Sequence, residues 1–283
     1  MNSNQRLAQA AFQAIFVFFL AACDVHGADR HEPEERWLAG DHHIHSRYSV
    51  LYDEENLPAY SFGGDAIYPI PLNALMARHF GLDWTVATDH GGPNHSKINF
   101  ERAYPELRLS RAALPDVIQF YGLELNTPGA DHSSVIVPYT IDEANVVREI
   151  ESRFDVLEKW TREEMQARDK EDRMIEALQA MDRLQNKPVV FANHPARTAT
   201  GLGGYGKTEP RELRNWNDTA PDIAVGMEGA PGHQAGPLRR EDPAPRGWYF
   251  GYPTMGGFDQ LTARLGGFWD AMLGEGRRWW VTA

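Results

Sequence analysis

The sequence predicts an α/β protein built as a parallel (β/α) barrel, and three observations carry that reading. Short apolar runs rich in Val, Ile and aromatics recur along the chain, and helical patterns lie between several of them. From Trp37 to Ala283 the chain has about the 250 residues of one such barrel. Strands that alternate with helices imply a parallel sheet, because each crossover returns the chain to the same edge.

In chain order, each run ends at a residue able to bind a metal. Trp37-Leu38-Ala39 leads into Asp41, His43 and His45, and residues 84–88 lead into Asp89 and His90. Residues 117–123 end at Glu124, residues 189–192 run into His194, and residues 223–227 end at Glu228. Residues 71–80 (PLNALMARHF) form a helix that Gly81 stops. Met174, Ile175, Leu178, Met181 and Leu184 fall at helical spacing before Pro188. Residues 140–185 are too long and too charged for one crossover helix and read as a helical insertion. Thr140 and Glu143 have capping-box spacing for a first helix, and residues 160–185 make a second. The mixed charges of KWTREEMQARDKEDR read as a solvated face, with a lid over the barrel mouth as the functional alternative. The aromatic-rich segment from Trp248 to Trp280 reads as core and outer-helix packing. In a closed barrel, reactive groups gather at the C-terminal ends of the strands, so the five strand ends are expected to meet at one mouth.

Composition limits the partners. With 28 Lys and Arg against 40 Asp and Glu, the formal charge of −12 repels a phosphate backbone and argues against binding to long duplex nucleic acid. A single Cys beside 11 His permits neither an internal disulfide nor a thiolate cage, so any metal is held by nitrogen and oxygen. At the N-terminus, Arg6 precedes the apolar run AIFVFFLAA, which is too short to span a bilayer. Leu20-Ala21-Ala22-Cys23 resembles the bacterial lipobox. Residues 1–22 therefore read as a signal peptide, Cys23 as the lipid attachment site, residues 23–36 as a polar tether and residues 37–283 as the barrel. The expected location is the periplasmic or extracellular face of a bacterial membrane. An ordinary cleaved signal is the alternative.

His43-Ile44-His45 at a strand end places two imidazoles on one side, where they can grip one divalent ion, and Asp41 is placed to orient them. Alone the pattern is weak; His90, Glu124, His132 and His194 beside further apolar runs give it weight. GDHHIHS (40–46), GLDWTVATDH (81–90), YGLELNTPGADHSSVIV (121–137) and ANHPAR (192–197), in that order, resemble the successive motifs of the polymerase and histidinol phosphatase (PHP) family. The resemblance implies a distorted (β/α)7 TIM-like barrel that holds two or three Zn, Mn or Fe ions at its mouth and hydrolyses phosphoesters with a metal-activated water. Carried over by position, it makes His43, His45, His90, Glu124, His132 and His194 metal ligands, with Glu124 as the bridging carboxylate.

Two departures accompany it. The family often has an Asp or His five or six residues after the second His of the first motif; here those positions are Val50 and Leu51, and Asp53 is the nearest candidate for a third metal. The family also ends with an Asp-x-His pair after the last strand, and this sequence stops at RRWWVTA, where that strand is expected. It reads as a fragment cut before those ligands, with a variant site as the alternative. Asp89 and Arg197 are the candidate catalytic residues: Arg197, three residues after His194, is placed to hold a phosphate bidentately, and a plain surface arginine is the alternative. Glu228 reads as a pocket residue or an arginine partner, and His233 as a substrate-loop residue. His42, His79 and His95 read as structural, His95 also as a residue behind the ligands. Gly201 to Thr208 matches a phosphate-binding P-loop pattern, but residues 194–200 separate it from its strand, Pro210 removes an early N–H and the segment after it offers barely two turns, so it reads as a loop over the barrel mouth that could still touch a substrate phosphate through Lys207. A small or nucleotide-type phosphoester is the expected substrate. The rivals are an amidohydrolase-type barrel that cleaves C–N or C–O bonds and a non-catalytic metal-binding or scaffold lipoprotein.

Overall fold

The structure, a computed structural model, describes residues 35–49, 51–52, 60–61, 66–230, 248–249, 252–255, 258–259, 261–262 and 264–282. The expected signal peptide, Cys23, most of the tether, Asp53 and His233 lie outside the described residues. The chain runs through β1 (Gly40–Ile44), a short antiparallel pair β2 (Leu51–Tyr52) and β3 (Tyr60–Ser61), α1 (Ile70–His79) and β4 (Trp84–Ala87). Next comes α2 (His95–Ile98), which passes through a π-helical turn at Asn99–Ala103 into α3 (Tyr104–Ala113). β5 (Ile118–Asn126) and β6 (His132–Val137) precede three helices, α4 (Glu143–Phe154), α5 (Arg162–Arg168) and α6 (Glu171–Asp182). The last part holds β7 (Val189–Asn193), α7 (Pro210–Thr219), β8 (Ala224–Glu228), a small antiparallel sheet of β9 (Trp248–Tyr249), β10 (Tyr252–Met255) and β11 (Phe258–Asp259), then α8 (Phe268–Leu273) and β12 (Trp280–Thr282).

Seven strands form the main sheet in the order β1-β4-β5-β6-β7-β8-β12, strongly curled into a half-barrel. Two features differ from the expected parallel barrel. β6 runs antiparallel to both of its neighbours, because only Thr127 to Asp131 separate it from β5 and so short a link cannot hold a crossover helix. That turn is closed by Thr127 N–H donating to the Asp131 carbonyl at 3.1 Å. Among the described residues no ladder joins the edge strands β1 and β12. They meet instead through side chains, with His42 Nε2 and Thr282 Oγ1 2.6 Å apart.

The helices match the patterning with shifts at their ends. α1 lies within a residue of its expected span, and Gly81 beyond it takes the left-handed φ of +81° that a glycine stop requires. In the insertion, the capping box expected at Thr140 and Glu143 does not form, because Glu143 is buried against Arg111. The box forms at Thr161 and Glu164 instead. The single helix expected over 160–185 divides into α5 and α6, since Lys170 is extended and the Asp169 carboxylate accepts from Gly129 N–H at 2.7 Å. α5 buries none of its residues, in keeping with a solvated face, whereas α6 buries Met174, Ala177, Leu178 and Met181. With Leu123, Leu125, Val135, Val190, Met227 and Trp216, these form one apolar core behind the sheet, in which Phe268 and Trp279 of the aromatic segment are also buried.

Candidate metal centre

The strand ends converge. Glu124 lies near the end of β5, opposite Ser134 of β6, and is fully buried. His132 opens β6, and because that strand runs antiparallel, its first residue reaches the edge where the parallel strands finish. The register pairs His132 with Asn126 on one side and with Asn193 on the other. His90 bridges to Glu124 in parallel sense.

Five imidazoles surround the Glu124 carboxylate. On Oε1 lie His43 Nε2 at 3.1 Å, His132 Nδ1 at 3.2 Å and His194 Nε2 at 3.3 Å. His45 Nε2 at 3.0 Å and His90 Nδ1 at 2.8 Å lie on Oε2. His43 and His45 do share a face, their Nε2 atoms 2.9 Å apart. All six residues expected as ligands therefore meet at one carboxylate. The side chains of His45, His90 and His132 keep part of their surface open to solvent, while Glu124 does not.

These residues suit a divalent cation. Glu124 Oε2 and His132 Nδ1 are buried and make no hydrogen bond of acceptable geometry, although ring nitrogens and carboxylate oxygens stand within 3.3 Å. Buried polar atoms of this kind normally have partners, and atoms that crowd together without bonding one another are arranged to share a third. Among the described residues, four overlapping trios bring ligand atoms within 4.8 Å: His43, His194 and Glu228; His43, His45 and Glu124; His90, Glu124 and His132; and Asp131, His132 and His194. Every donor is nitrogen or oxygen, a set that Zn, Mn and Fe all accept.

Electrostatics bind the cluster together. Burial pushes the Glu124 carboxyl up, but the charges of His43 and His90 and the close approach of the His132 and His194 ring nitrogens together hold it well below the usual carboxylate value. Burial disfavours the charged form of His43, yet Glu124 and Glu228 raise it well above an ordinary histidine. Burial also opposes ionisation of Glu228, but the His43 hydrogen bond and charge, with His194 and His42, bring it down to about 2.

The supporting residues sort by contact. Asp89, expected to be catalytic, has both oxygens engaged: it accepts from Ser46 N–H at 2.6 Å, Ser46 Oγ at 2.8 Å and Ser49 Oγ at 2.9 Å, and so holds the loop after β1. Asp41 accepts from the His43 backbone N–H at 2.9 Å, a contact to the main chain rather than to the imidazole it was expected to orient. Arg197 forks onto Asp131, with Nε to Oδ2 at 2.8 Å and Nη2 to Oδ1 at 2.7 Å. Asp131 also lies 3.9 Å from His194 Nδ1 and 4.0 Å from His132 Nδ1. Asp131 and Asn193, whose Nδ2 donates to Glu124 at 3.0 Å, are absent from the sequence reading. The available signal was their position directly before His132 and His194. His95 is buried against Asn99 and Glu151, and His42 stacks on Phe191, both as structural residues. In the P-loop-like segment no helix starts at Lys207; α7 begins at Pro210, and Thr208 Oγ1 accepts from Asp131 N–H at 3.0 Å. Comparison with models of known families found none that matches the chain, and no curated protein matches it.

Proposed function

We propose that this protein is a metal-dependent phosphoesterase of the PHP type, exported and held at a bacterial membrane by a lipid on Cys23. One observation carries the catalytic reading: a fully buried carboxylate, Glu124, ringed by five imidazoles at 2.8 to 3.3 Å. His43, His45, His90, Glu124, His132 and His194 would hold two or three Zn, Mn or Fe ions, within a distorted (β/α)7 barrel. Bound there, such ions supply Lewis acidity and lower the pKa of water toward ~7, which serves hydrolysis of a phosphoester without a protein nucleophile.

The chain's own residues supply the rest. Glu124 keeps its charge although it is itself fully buried, where electrostatic attraction is strongest. Asp89 fixes the loop after β1, and Asp131, which lies within 4.0 Å of His132 and His194, holds the Arg197 guanidinium, which would meet a substrate phosphate. The net charge of −12 favours small or nucleotide-type phosphoesters over duplex nucleic acid.

Elemental analysis of protein purified without chelator tests this. Two or three equivalents of Zn, Mn or Fe are expected, lost in Glu124→Ala, together with chelator-sensitive hydrolysis of bis(p-nitrophenyl) phosphate. One equivalent or less would overturn the multinuclear hydrolase. Cleavage of lactone or amide substrates alone would assign the site to amidohydrolase-type chemistry.

A further inference from the structure

Glu228 shares one of the trios with His43 and His194, and it sits where both of those imidazoles are fixed. It ends β8, pairs with Thr282 of β12 in the ladder, and is buried. Its Oε1 and Oε2 lie 3.3 and 3.4 Å from His43 Nδ1. Its Oε2 also accepts the backbone N–H of His194 at 3.2 Å. His194 has a φ of +33°, a left-handed value that a residue with a Cβ adopts only when its surroundings impose it. In both residues the opposite side faces Glu124, with His43 Nε2 at 3.1 Å and His194 Nε2 at 3.3 Å.

We propose that Glu228 is a positioning residue of the metal centre: one carboxylate takes the Nδ1–H of His43, leaving Nε2 as the ligand atom, and pins the His194 backbone so that its Nε2 meets the same point. The inference rests on the metal-centre reading and adds to it a residue that acts from behind the ligands rather than as one. A carboxylate behind a ligating imidazole sets which ring nitrogen carries the proton and raises the basicity of the other. The same carboxylate bonds the backbone amide of His194, whose conformation is unfavourable, so it fixes a ring and a backbone at once. Asp131, 3.9 Å from His194 Nδ1, is too distant to do the same directly.

Glu228→Gln, which keeps the volume and one acceptor, and Glu228→Ala are to be compared with wild type in two measurements. In the metal-free protein, exchange of the His194 amide hydrogen is expected to quicken at least tenfold in Glu228→Ala. In the zinc-loaded protein, competition with a chelator is expected to show affinity weakened 10- to 100-fold, the usual loss when such a partner is removed, and less in Glu228→Gln than in Glu228→Ala. Unchanged exchange and unchanged affinity in both variants would overturn the proposal. So would a zinc-bound crystal structure with a Glu228 oxygen at the ligand distance of about 2.0–2.2 Å. Wild type that takes up no zinc, while Glu228→Ala still frees the His194 amide, would keep the hold on His194 and overturn the metal-centre reading instead.

Discussion

Asp131 and Arg197 show how a residue's role depends on what it touches. Arg197 was legible as a basic residue three positions after His194, and the structure places its guanidinium in a two-bond fork on Asp131. Asp131 is buried, and Arg197 keeps part of its surface open. Replacing Arg197 with Met takes the two-bond partner from the buried Asp131 carboxylate and leaves only the more distant His132 and His194 rings near it. The expected cost is about 2–3 kcal/mol, below the 3–5 kcal/mol of a fully buried pair because the arginine is already partly hydrated. Removing the charge as well, in Asp131→Asn/Arg197→Met, should recover most of it. Chemical denaturation of the two single variants and the double variant measures the coupling, and additive losses would show that the fork holds nothing. His43 and His45 were more legible, since spacing by two on a strand fixes a common face. Asp89 was legible as a site residue but not as the anchor of Ser46 and Ser49, because those hydroxyls belong to a loop whose path no periodicity reveals.

Among the elements, β5 and β6 carry the centre, and their pairing brings Glu124 and His132 together. At Gly122 the two strands approach closely: a Cβ there would lie 2.5 Å from the Val135 carbonyl oxygen, a backbone atom that cannot turn aside. Gly122→Ala is expected to destabilise the fold by about 1–3 kcal/mol, as overpacking does, and to lower metal content because Glu124 lies two residues further on. A thermal melt beside elemental analysis checks both, and a variant with wild-type values in each would refute the close approach. On the other side of the sheet, Leu178 is fully buried in α6. Leu178→Ala should cost about 2–5 kcal/mol with metal stoichiometry unchanged, which separates core packing from the site. The 3.6-residue period made α6 visible in the sequence. The break between α5 and α6 was not, because it depends on Asp169 reaching Gly129 in a different part of the chain.

At the scale of the whole molecule, Asp155 joins the helical insertion to the sheet. Its carboxylate accepts from Asn126 N–H at 2.8 Å, from Asn126 Nδ2 at 3.0 and 3.1 Å and from Leu157 N–H at 2.8 Å. Burial first, and then the charge of Glu151, raise it from 3.8 to about 7 despite those bonds. Between these values the folded chain holds a proton that the unfolded chain has released. The resulting stabilisation is complete below pH 3.8 and lost as pH rises through about 7, a swing on the order of 4 kcal/mol. Denaturation measured from pH 4 to 8 should show wild type losing stability relative to Asp155→Asn over that interval, and parallel curves would refute the shift.

The sequence by itself determined the class of fold and the chemistry at its strand ends. Apolar periodicity decides which stretches become strands and helices, and the position of His43, His45, His90, Glu124 and His194 just after apolar runs decides which edge they occupy. It also set the donor set, since a chain with one Cys and 11 His can offer a metal little but nitrogen and oxygen. Only the tertiary structure decided that β6 turns back to bring in His132, that the sheet curls as a half-barrel joined through His42 and Thr282, and that Asp131, Asn193 and Glu228 stand around the ligands. The side-chain contacts among them join residues 34 to 240 positions apart, and contacts at such separations arise from packing and strand order, which local pattern does not encode.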